Sequence, residues 1–249
     1  MKKWKAAILI CDIVLGLLLF CGYVYKQRTT FTQGTAVVVQ NGQWRKKNVG
    51  KETVLEKGKE WEEEQTRKIA LTFDDGPHPF YTEQLLDGLK ERGVVATFFV
   101  TGEHAVLYPE IIKRMQEEGH LIGNHTYSHI QLRNDNKEIF REELVKTNVV
   151  LKEITGEDTI YVRPPYGSWD KNFEKELDMI PVLWTIDPLD WCSDDAYCVV
   201  TKVTEKVEEN DIVLLHDYYA STVTAALKIV DELLEVGYEF VTVEEILFD

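Results

Sequence analysis

Short apolar runs alternate with longer amphipathic stretches along residues 67–249. The apolar runs cover residues 69–73, 121–123, 160–162, 182–186 and 212–215. The helix-like stretches between them cover residues 81–92, 109–118, 136–154 and 222–236. Short strands that alternate with helices are typical of a parallel sheet covered by helices. The pattern therefore predicts a parallel β/α barrel over this part of the chain.

Polar side chains that can carry chemistry follow nearly every apolar run. They are Asp74 with Asp75, His125, Arg163, Asp187 and His216. In a parallel barrel the carboxyl ends of the strands meet on one face, and that face carries the active site. An ordinary solvated turn would explain any one of these positions, but it does not explain their recurrence. We therefore expect the side chains to lie together in one site.

Asp75, His125 and His129 have the chemistry of a divalent-metal site. The two histidines are four residues apart, a spacing that places both imidazoles on one face of a helical turn. One carboxylate and two imidazoles leave coordination positions open. The adjacent Asp74 is then free to act as a base on a water molecule, so the set predicts hydrolytic chemistry. Histidines at this spacing also occur on ordinary surfaces, but the acidic pair favours a metal site.

Five motifs carry a resemblance to an enzyme family. They are Thr-Phe-Asp-Asp-Gly-Pro (72–77), His-Thr-Tyr-Ser-His (125–129), Arg-Pro-Pro-Tyr-Gly (163–167), Asp-Pro-Leu-Asp-Trp (187–191) and Leu-Leu-His (214–216). Residues 67–249 resemble the polysaccharide deacetylases with the NodB homology domain, carbohydrate esterase family 4. They are most similar to the peptidoglycan N-acetylglucosamine deacetylases of Gram-positive bacteria. The resemblance implies a distorted parallel barrel of the NodB type.

The resemblance also implies the ligands of the metal and the general base. Asp75, His125 and His129 would hold the ion, which is usually zinc in the family and cobalt or nickel in some members. Asp74 would be the general base that takes a proton from the attacking water. Arg163 would be its charge partner, because an arginine beside a carboxylate favours the ionised form.

The remaining site residues are likewise assigned by resemblance. His216 would protonate the departing amine, and Asp190 would orient it and raise its pKa. The backbone N–H of Tyr166 would stabilise the oxyanion. Trp191 and Leu214 would form the walls of the pocket for the acetyl methyl group.

Two further assignments concern the shape of the site rather than its chemistry. Asp187 matches its motif and receives only a supporting place. Pro165 and Gly167 would shape the turn that aims the Tyr166 amide.

The N-terminal segment predicts a membrane anchor. Residues 6–25 are apolar apart from Asp12 and long enough to cross a bilayer as one helix. Lys2, Lys3 and Lys5 place the N-terminal end in the cytoplasm. A cleaved signal peptide is the alternative, but no Ala-x-Ala-like site follows the run. We expect residues 1–26 to be a cytoplasmic tip and single-pass signal anchor, with the catalytic domain outside the cell.

Residues 27–66 are predicted to be an extracellular stalk. They are too few for a substantial core, although Asn41-Gly42 between apolar residues signals a hairpin. Residues 1–66 carry 11 Lys and Arg against 7 Asp and Glu, whereas residues 67–249 carry 17 against 36. A strongly acidic catalytic domain argues against nucleic acid as a partner. The expected partners are a glycan and the membrane, and no obligate protein partner is evident.

Cysteines do not define a framework in this chain. Cys11 and Cys21 lie in the apolar N-terminal run and would behave there as small apolar residues. Cys192 and Cys198 flank a short polar loop, and either a disulfide or two free thiols fits the sequence.

The sequence as a whole favours a membrane-anchored, metal-dependent deacetylase of N-acetylglucosamine in peptidoglycan. A second interpretation keeps the site and changes the substrate to chitin oligosaccharides, another N-acetylglucosamine polymer or acetylated xylan. A third is a catalytically silent glycan-binding module. The intact base, metal ligands and acid argue against silence, since a binding module does not need them.

Overall fold

The computed structural model describes residues 36–40, 43–48, 51–53, 67–174 and 177–248. The chain divides into two compact units, residues 1–64 and residues 65–249. The predicted anchor at residues 1–26 lies outside the described residues. Among the helices that are described, none is long and apolar enough to cross a membrane.

The described part of the N-terminal unit is a three-stranded antiparallel sheet. Its strands are β1 (Ala36–Gln40), β2 (Gln43–Asn48) and β3 (Lys51–Thr53), in the order β1-β2-β3. Gln40 is paired with Gln43 in the antiparallel register. This register leaves two residues, Asn41 and Gly42, to connect the strands, as expected for an Asn-Gly hairpin.

The second unit alternates strands and helices. The strands are β4 (Arg67–Asp74), β5 (Thr97–Val100), β6 (Leu121–Asn124), β7 (Tyr161–Val162), β8 (Ile180–Pro181), β9 (Asp211–His216) and β10 (Tyr238–Phe240). The helices are α1 (Tyr81–Arg92), α2 (Gly102–Leu107), α3 (Pro109–Glu117), α4 (Lys137–Thr155), α5 (Lys171–Glu174), α6 (Ala196–Thr204), α7 (Ala220–Glu235) and α8 (Val243–Phe248). Two short 3₁₀ turns cover Pro165–Gly167 and Asp190–Cys192.

The strands form one parallel sheet in the order β10-β4-β5-β6-β7-β8, and β9 also pairs with β4. A parallel bridge between Ile186 and Val213 brings the segment after β8 next to β9. The result is a distorted parallel half-barrel covered by helices. The predicted parallel α/β architecture is therefore confirmed.

Strand alternation separates the core from the site. Phe73, Val213 and Leu215 belong to the core cluster packed under the helices. The intervening residues of β4 and β9 point to the opposite face, because side chains alternate along a strand. Asp74 on that face is in register with His216. The pairing of β4 with β9 therefore places a carboxylate beside an imidazole.

Helix α1 shows how the helices are fixed against this sheet. It buries Leu85, Leu86 and Leu89 on one face, where they join the core cluster. It ends at Gly93, whose backbone has the left-handed φ of 65° and whose N–H bonds the carbonyls of the last turn. Glycine adopts this conformation without the steric cost that a Cβ imposes.

The predicted strand at 182–186 differs from the structure. Regular pairing ends with β8 (Ile180–Pro181), and Val182 and Leu183 lie outside a strand. The reason is the guanidinium of Arg163, which donates hydrogen bonds to the carbonyls of Val182 at 3.0 Å and Leu183 at 3.1 Å. Carbonyls that could accept hydrogen bonds in a strand instead hold the side chain of Arg163.

Candidate metal and catalytic site

Three predicted ligands converge at the carboxyl ends of β4 and β6. Oδ1 of Asp75 lies 3.4 Å from Nε2 of His125 and 3.2 Å from Nε2 of His129. One ligand atom from each residue lies within 4.8 Å of the other two. Two imidazoles and a carboxylate at this spacing can bind one divalent ion.

The path that brings the histidines together is a loop and not the helical turn expected from their spacing. Residues 125–130 have no helical assignment, and Thr126 and His129 have left-handed φ values of 63° and 56°. Oδ1 of Asn124 accepts a hydrogen bond from the N–H of Thr126, which favours a turn over a helix. The helical expectation was wrong, although the convergence of the two imidazoles is observed.

The surroundings of the triad fit a metal ion. Nδ1 of His125 donates a hydrogen bond to the carbonyl of Arg163 at 2.6 Å, so the lone pair at Nε2 faces Asp75. Among the described residues, Oδ1 of Asp75 is a buried polar atom that has no hydrogen-bond partner. Buried polar atoms are nearly always satisfied. An ion held by the two imidazoles would satisfy this oxygen.

The protonation states of Asp75 and His129 favour metal binding. Burial raises the pKa of Asp75, but the neighbouring imidazoles of His125, His129 and His216 outweigh burial and lower the pKa to about 2. Burial also lowers the pKa of His129 from its ordinary value, and the charge of Asp75 offsets only part of this effect. An ionised carboxylate and a neutral imidazole are the forms that bind metal.

Asp74, adjacent to Asp75, is held by a different partner. Its Oδ1 accepts a hydrogen bond from Nη1 of Arg163 at 2.9 Å, and both side chains are buried. The same nitrogen donates to Oγ1 of Thr72, whose hydroxyl donates to the carbonyl of Val213. Burial lowers the pKa of Arg163, and the charge of Asp74 counteracts this. The two neighbouring aspartates are thus separated by their partners.

His216 at the end of β9 is paired with Asp190. Its Nδ1 lies 2.9 Å from Oδ1 of Asp190, and its backbone N–H donates to Oδ2 of the same carboxylate at 2.8 Å. Burial lowers the pKa of His216, but the hydrogen bond and charge of Asp190, with smaller contributions from Asp74 and Asp75, raise it to about 9. The imidazole is therefore cationic at neutral pH.

Three supporting residues were not identified from the sequence. Oγ1 of Thr222 donates to Oδ2 of Asp190 at 2.7 Å. Nδ1 of His104 donates to the backbone carbonyl of Asp75 at 2.8 Å. The carboxylate of Asp217 is fully buried and accepts a hydrogen bond from Thr82. Asp217 directly follows a strand, and this position was the one sequence signal among the three. Thr222 and His104 act through contacts with residues far away in the sequence, which local patterns do not show.

Asp217 also explains the glycine of the Asp-Asp-Gly-Pro turn. A Cβ at Gly76 would lie 2.4 Å from both carboxylate oxygens of Asp217. No real Cβ approaches heavy atoms so closely, so only glycine allows this contact without a shift of the backbone. Burial raises the pKa of Asp217 to about 7, an effect that the hydrogen bond from Thr82 opposes. The turn that carries Asp75 is therefore packed directly against a buried carboxyl group.

The predicted pocket residues lie at different depths. Tyr166 has a left-handed φ of 61° and an exposed side chain, and its ring lies edge-on to His129 with 4.9 Å between centroids. Trp191 is exposed in the 3₁₀ turn beside Asp190. Leu214 is buried in β9, opposite Thr72 in the register. Their assignment to an acetyl pocket stays a prediction.

Other residues singled out from the sequence are peripheral. Oδ1 of Asp187 accepts a hydrogen bond from the N–H of Leu189 at 2.9 Å, which makes it part of the turn before Asp190. Cys192 and Cys198 are free thiols in the structure, which corresponds to the second of the two alternatives.

The chain is similar to known polysaccharide deacetylases. The family model described as polysaccharide deacetylase matches residues 62–182. A peptidoglycan-N-acetylglucosamine deacetylase of Bacillus cereus is 39% identical over 75% of this chain and 92% of its own length. Peptidoglycan-N-acetylmuramic acid deacetylase PdaC of Bacillus subtilis is 37% identical over 72% of this chain, which spans only 38% of PdaC.

Solved structures share the fold. The structure of PdaC has a TM-score of 0.72 at 36% identity, covering 74% of this chain and 91% of that one. A family 4 acetyl xylan esterase from Clostridium thermocellum, in complex with a cobalt ion, has a TM-score of 0.69 at 33% identity. That match covers 73% of this chain and 90% of the esterase chain.

The His216–Asp190 pair predicts a measurable titration. In the metal-free protein, His216 should titrate near pH 9 by NMR, against an ordinary value of 6.5. Asp190→Asn should lower this pKa by about one to two units, because a hydrogen bond to a charged group is worth about 1.5–3 kcal/mol. The pair stabilises the fold fully below pH 6.5, and this contribution is lost as the pH rises through about 9.

His120 provides an internal control for this titration. Burial lowers its pKa to about 4. The charge of Glu118 opposes this effect, and the charge of Arg114 adds to it. That value should not change in Asp190→Asn. A wild-type His216 that titrates near its ordinary value would contradict the assigned pair.

Proposed function

Because the chain belongs to the polysaccharide deacetylase family, carbohydrate esterase family 4, we propose that it removes N-acetyl groups from N-acetylglucosamine residues of peptidoglycan. The proposal rests on one observation: two adjacent carboxylates have different partners. Asp75 faces a histidine pair, while Asp74 faces a buried arginine. This arrangement supplies a metal ligand and a separate base at one strand end. The names of the relatives support the peptidoglycan substrate.

A divalent ion, for which zinc is our first choice and cobalt or nickel the alternatives, would be held by Asp75, His125 and His129. When bound, it would lower the pKa of a coordinated water and polarise the amide carbonyl. The rest of the chemistry comes from the protein's own side chains.

Asp74 is proposed as the general base. Its Oδ1 is engaged by Arg163, and its Oδ2 lies 3.8 Å from Nε2 of His125, on the side of the metal ligands. Oδ2 is therefore directed towards the place where an attacking water would be activated. The carboxylate takes the proton of that water as its oxygen attacks the acetamide carbon. Arg163 fixes the direction of the carboxylate and stabilises its charge.

His216 is proposed as the general acid. Expulsion of the sugar amine requires protonation of nitrogen, because an amide anion is a very poor leaving group. Asp190 holds Nδ1 of His216, so the proton available for transfer lies at Nε2. The raised pKa keeps that proton in place at neutral pH. Transfer of this proton to the amide nitrogen releases acetate and leaves a free amine on the sugar.

The surrounding residues would position the acetyl group. The backbone N–H of Tyr166 is proposed to donate to the oxyanion, and the turn Pro165–Gly167 sets its direction. Trp191 and Leu214 are proposed to line the space for the methyl group.

Deacetylation of N-acetylmuramic acid is a second candidate. It is favoured by the match to PdaC, whose name gives that substrate and whose structure has the TM-score of 0.72. Chitin oligosaccharides, other N-acetylglucosamine polymers and acetylated xylan stay as alternatives in which the same residues act on another glycan.

Mass spectrometry of muropeptides tests the substrate. Detergent-solubilised full-length protein loaded with zinc should remove acetyl groups from purified peptidoglycan, and tandem spectra of reduced muropeptides should place the loss on N-acetylglucosamine. His216→Ala serves as the control, because loss of a general acid lowers the rate by about 10²–10⁴-fold. Loss on N-acetylmuramic acid would favour the second candidate. Unchanged muropeptides with acetate release from chitin oligomers would contradict the peptidoglycan assignment.

Localisation at the cell surface is proposed from the sequence. Residues 1–26 would anchor the protein in the membrane, residues 27–66 would form the stalk, and residues 67–249 would face the cell wall. Protease treatment of intact cells should release a soluble fragment cut within the stalk. Protection of the domain until the cells are lysed would contradict this orientation.

A further inference from the structure

An open depression of about 530 Å³ lies beside the proposed active site. Its aromatic wall consists of Tyr81, Tyr218 and Tyr219. Tyr218 and Tyr219 follow β9 directly after the general acid and its buried neighbour, and both side chains are more than a third exposed, at 37% and 41%. We call this feature the tyrosine depression. No step of the proposed chemistry uses it.

The aromatic wall is ordered by a stack of rings. The ring of His78 stacks on Tyr81 at 4.4 Å between centroids and meets the Tyr218 ring edge-on at 4.9 Å. Tyr219 packs edge-on against Tyr218 at 6.4 Å. Nδ1 of His78 accepts hydrogen bonds from the N–H groups of Phe80 and Tyr81, which fixes the imidazole. A pre-ordered surface binds a ligand without the cost of ordering its side chains.

One side chain, His104, contacts both the tyrosine depression and the metal site. The hydroxyl of Tyr218 lies 3.5 Å from Nε2 of His104, and the other nitrogen of that ring bonds the carbonyl of the metal ligand Asp75. On the other side, Asp194 lines the depression three residues after Trp191. A glycan chain with one sugar at the metal site would therefore reach the depression with a neighbouring sugar.

The rim of the tyrosine depression is polar and free of cations. Asp194, Ser221 and Thr224 line it, and none of its described lining residues is Lys or Arg. Hydroxyl and carboxylate oxygens accept hydrogen bonds from sugar hydroxyls, while aromatic rings pack against apolar faces of the ring. A sugar that carries a carboxylate would meet Asp194 without a compensating cation. The chemistry favours a pyranose that carries no free carboxylate.

We propose that the tyrosine depression is a binding subsite for a pyranose of the glycan chain that carries no free carboxylate, adjacent to the sugar that is deacetylated. The inference rests on the proposed function in its general form, action on a glycan, and not on peptidoglycan as the substrate. Tyr219 is its best test, because it is exposed, whereas Tyr218 contacts His104, which bonds the carbonyl of Asp75.

Substrate length separates a subsite from a catalytic effect. Acetate release would be measured with zinc-loaded full-length protein on N-acetylglucosamine and chitopentaose. Tyr219→Ala should lower kcat/KM about 5-fold on the pentamer, the order expected for loss of one aromatic contact, through a higher KM. It should leave the kinetics on the monomer unchanged, because a single sugar at the metal site does not reach the depression. Tyr219→Phe keeps the ring and should retain most of the wild-type value.

Tyr197→Ala is the matched control. Tyr197 is an exposed tyrosine, 71% accessible, in the neighbouring helix α6 and outside the lining of the depression. It should give wild-type kinetics on both substrates. Calorimetric binding of chitopentaose to the same proteins gives a readout that does not depend on turnover. Tyr219→Ala should weaken this binding by a similar factor.

Three results would overturn the subsite. The first is an equal loss on monomer and pentamer, which would place the effect at the catalytic centre or in the fold. The second is pentamer kinetics and binding that do not change in Tyr219→Ala. The third is wild-type protein that does not bind chitopentaose. If muropeptides stay acetylated while the action on chitin oligomers depends on their length, only the peptidoglycan substrate would be refuted.

Discussion

The site depends on the buried interaction between Arg163 and Asp74. The guanidinium is fully buried, so every hydrogen bond it lacks would leave a costly unsatisfied donor. It donates to the carboxylate of Asp74, the hydroxyl of Thr72 and the carbonyls of Val182 and Leu183. Removal of one partner from a buried ion pair typically costs about 3–5 kcal/mol. The interaction therefore fixes the direction of the Asp74 carboxylate and connects three segments of the barrel.

The same arginine connects the proposed base to the proposed metal ligands. Its backbone carbonyl accepts the hydrogen bond of His125 Nδ1, while its side chain holds Asp74. One residue at the end of β7 thus orients two side chains that belong to two other strands. The Phe99 ring packs against the guanidinium at 4.2 Å, and a Cβ at Gly123 would lie 2.4 Å from that ring. The small residue in β6 is consequently part of the same arrangement.

The sequence allowed prediction of the features that depend on local pattern. The apolar runs located β4, β6 and β9 to within about two residues, and their polar ends located the side chains proposed as ligands, base and acid. The path between His125 and His129 was mispredicted, because a spacing of four does not distinguish a helical turn from a loop with left-handed residues. The hydrogen bonds of Thr222 and His104 join distant segments, and no local pattern contains them. The tyrosine depression likewise requires three loops to come together.

The most direct test of this account compares the two adjacent aspartates. Metal content after gel filtration and acetate release would be measured for Asp74→Asn and Asp75→Ala, with circular dichroism to establish folding. We expect Asp74→Asn to keep zinc at the wild-type level and to lose nearly all activity. We expect Asp75→Ala to lose tightly bound zinc, with affinity lowered by about 100-fold or more, since even residues that only orient ligands contribute about 10–100-fold. Equal metal loss in two folded variants would contradict the division of the carboxylates between base and ligand.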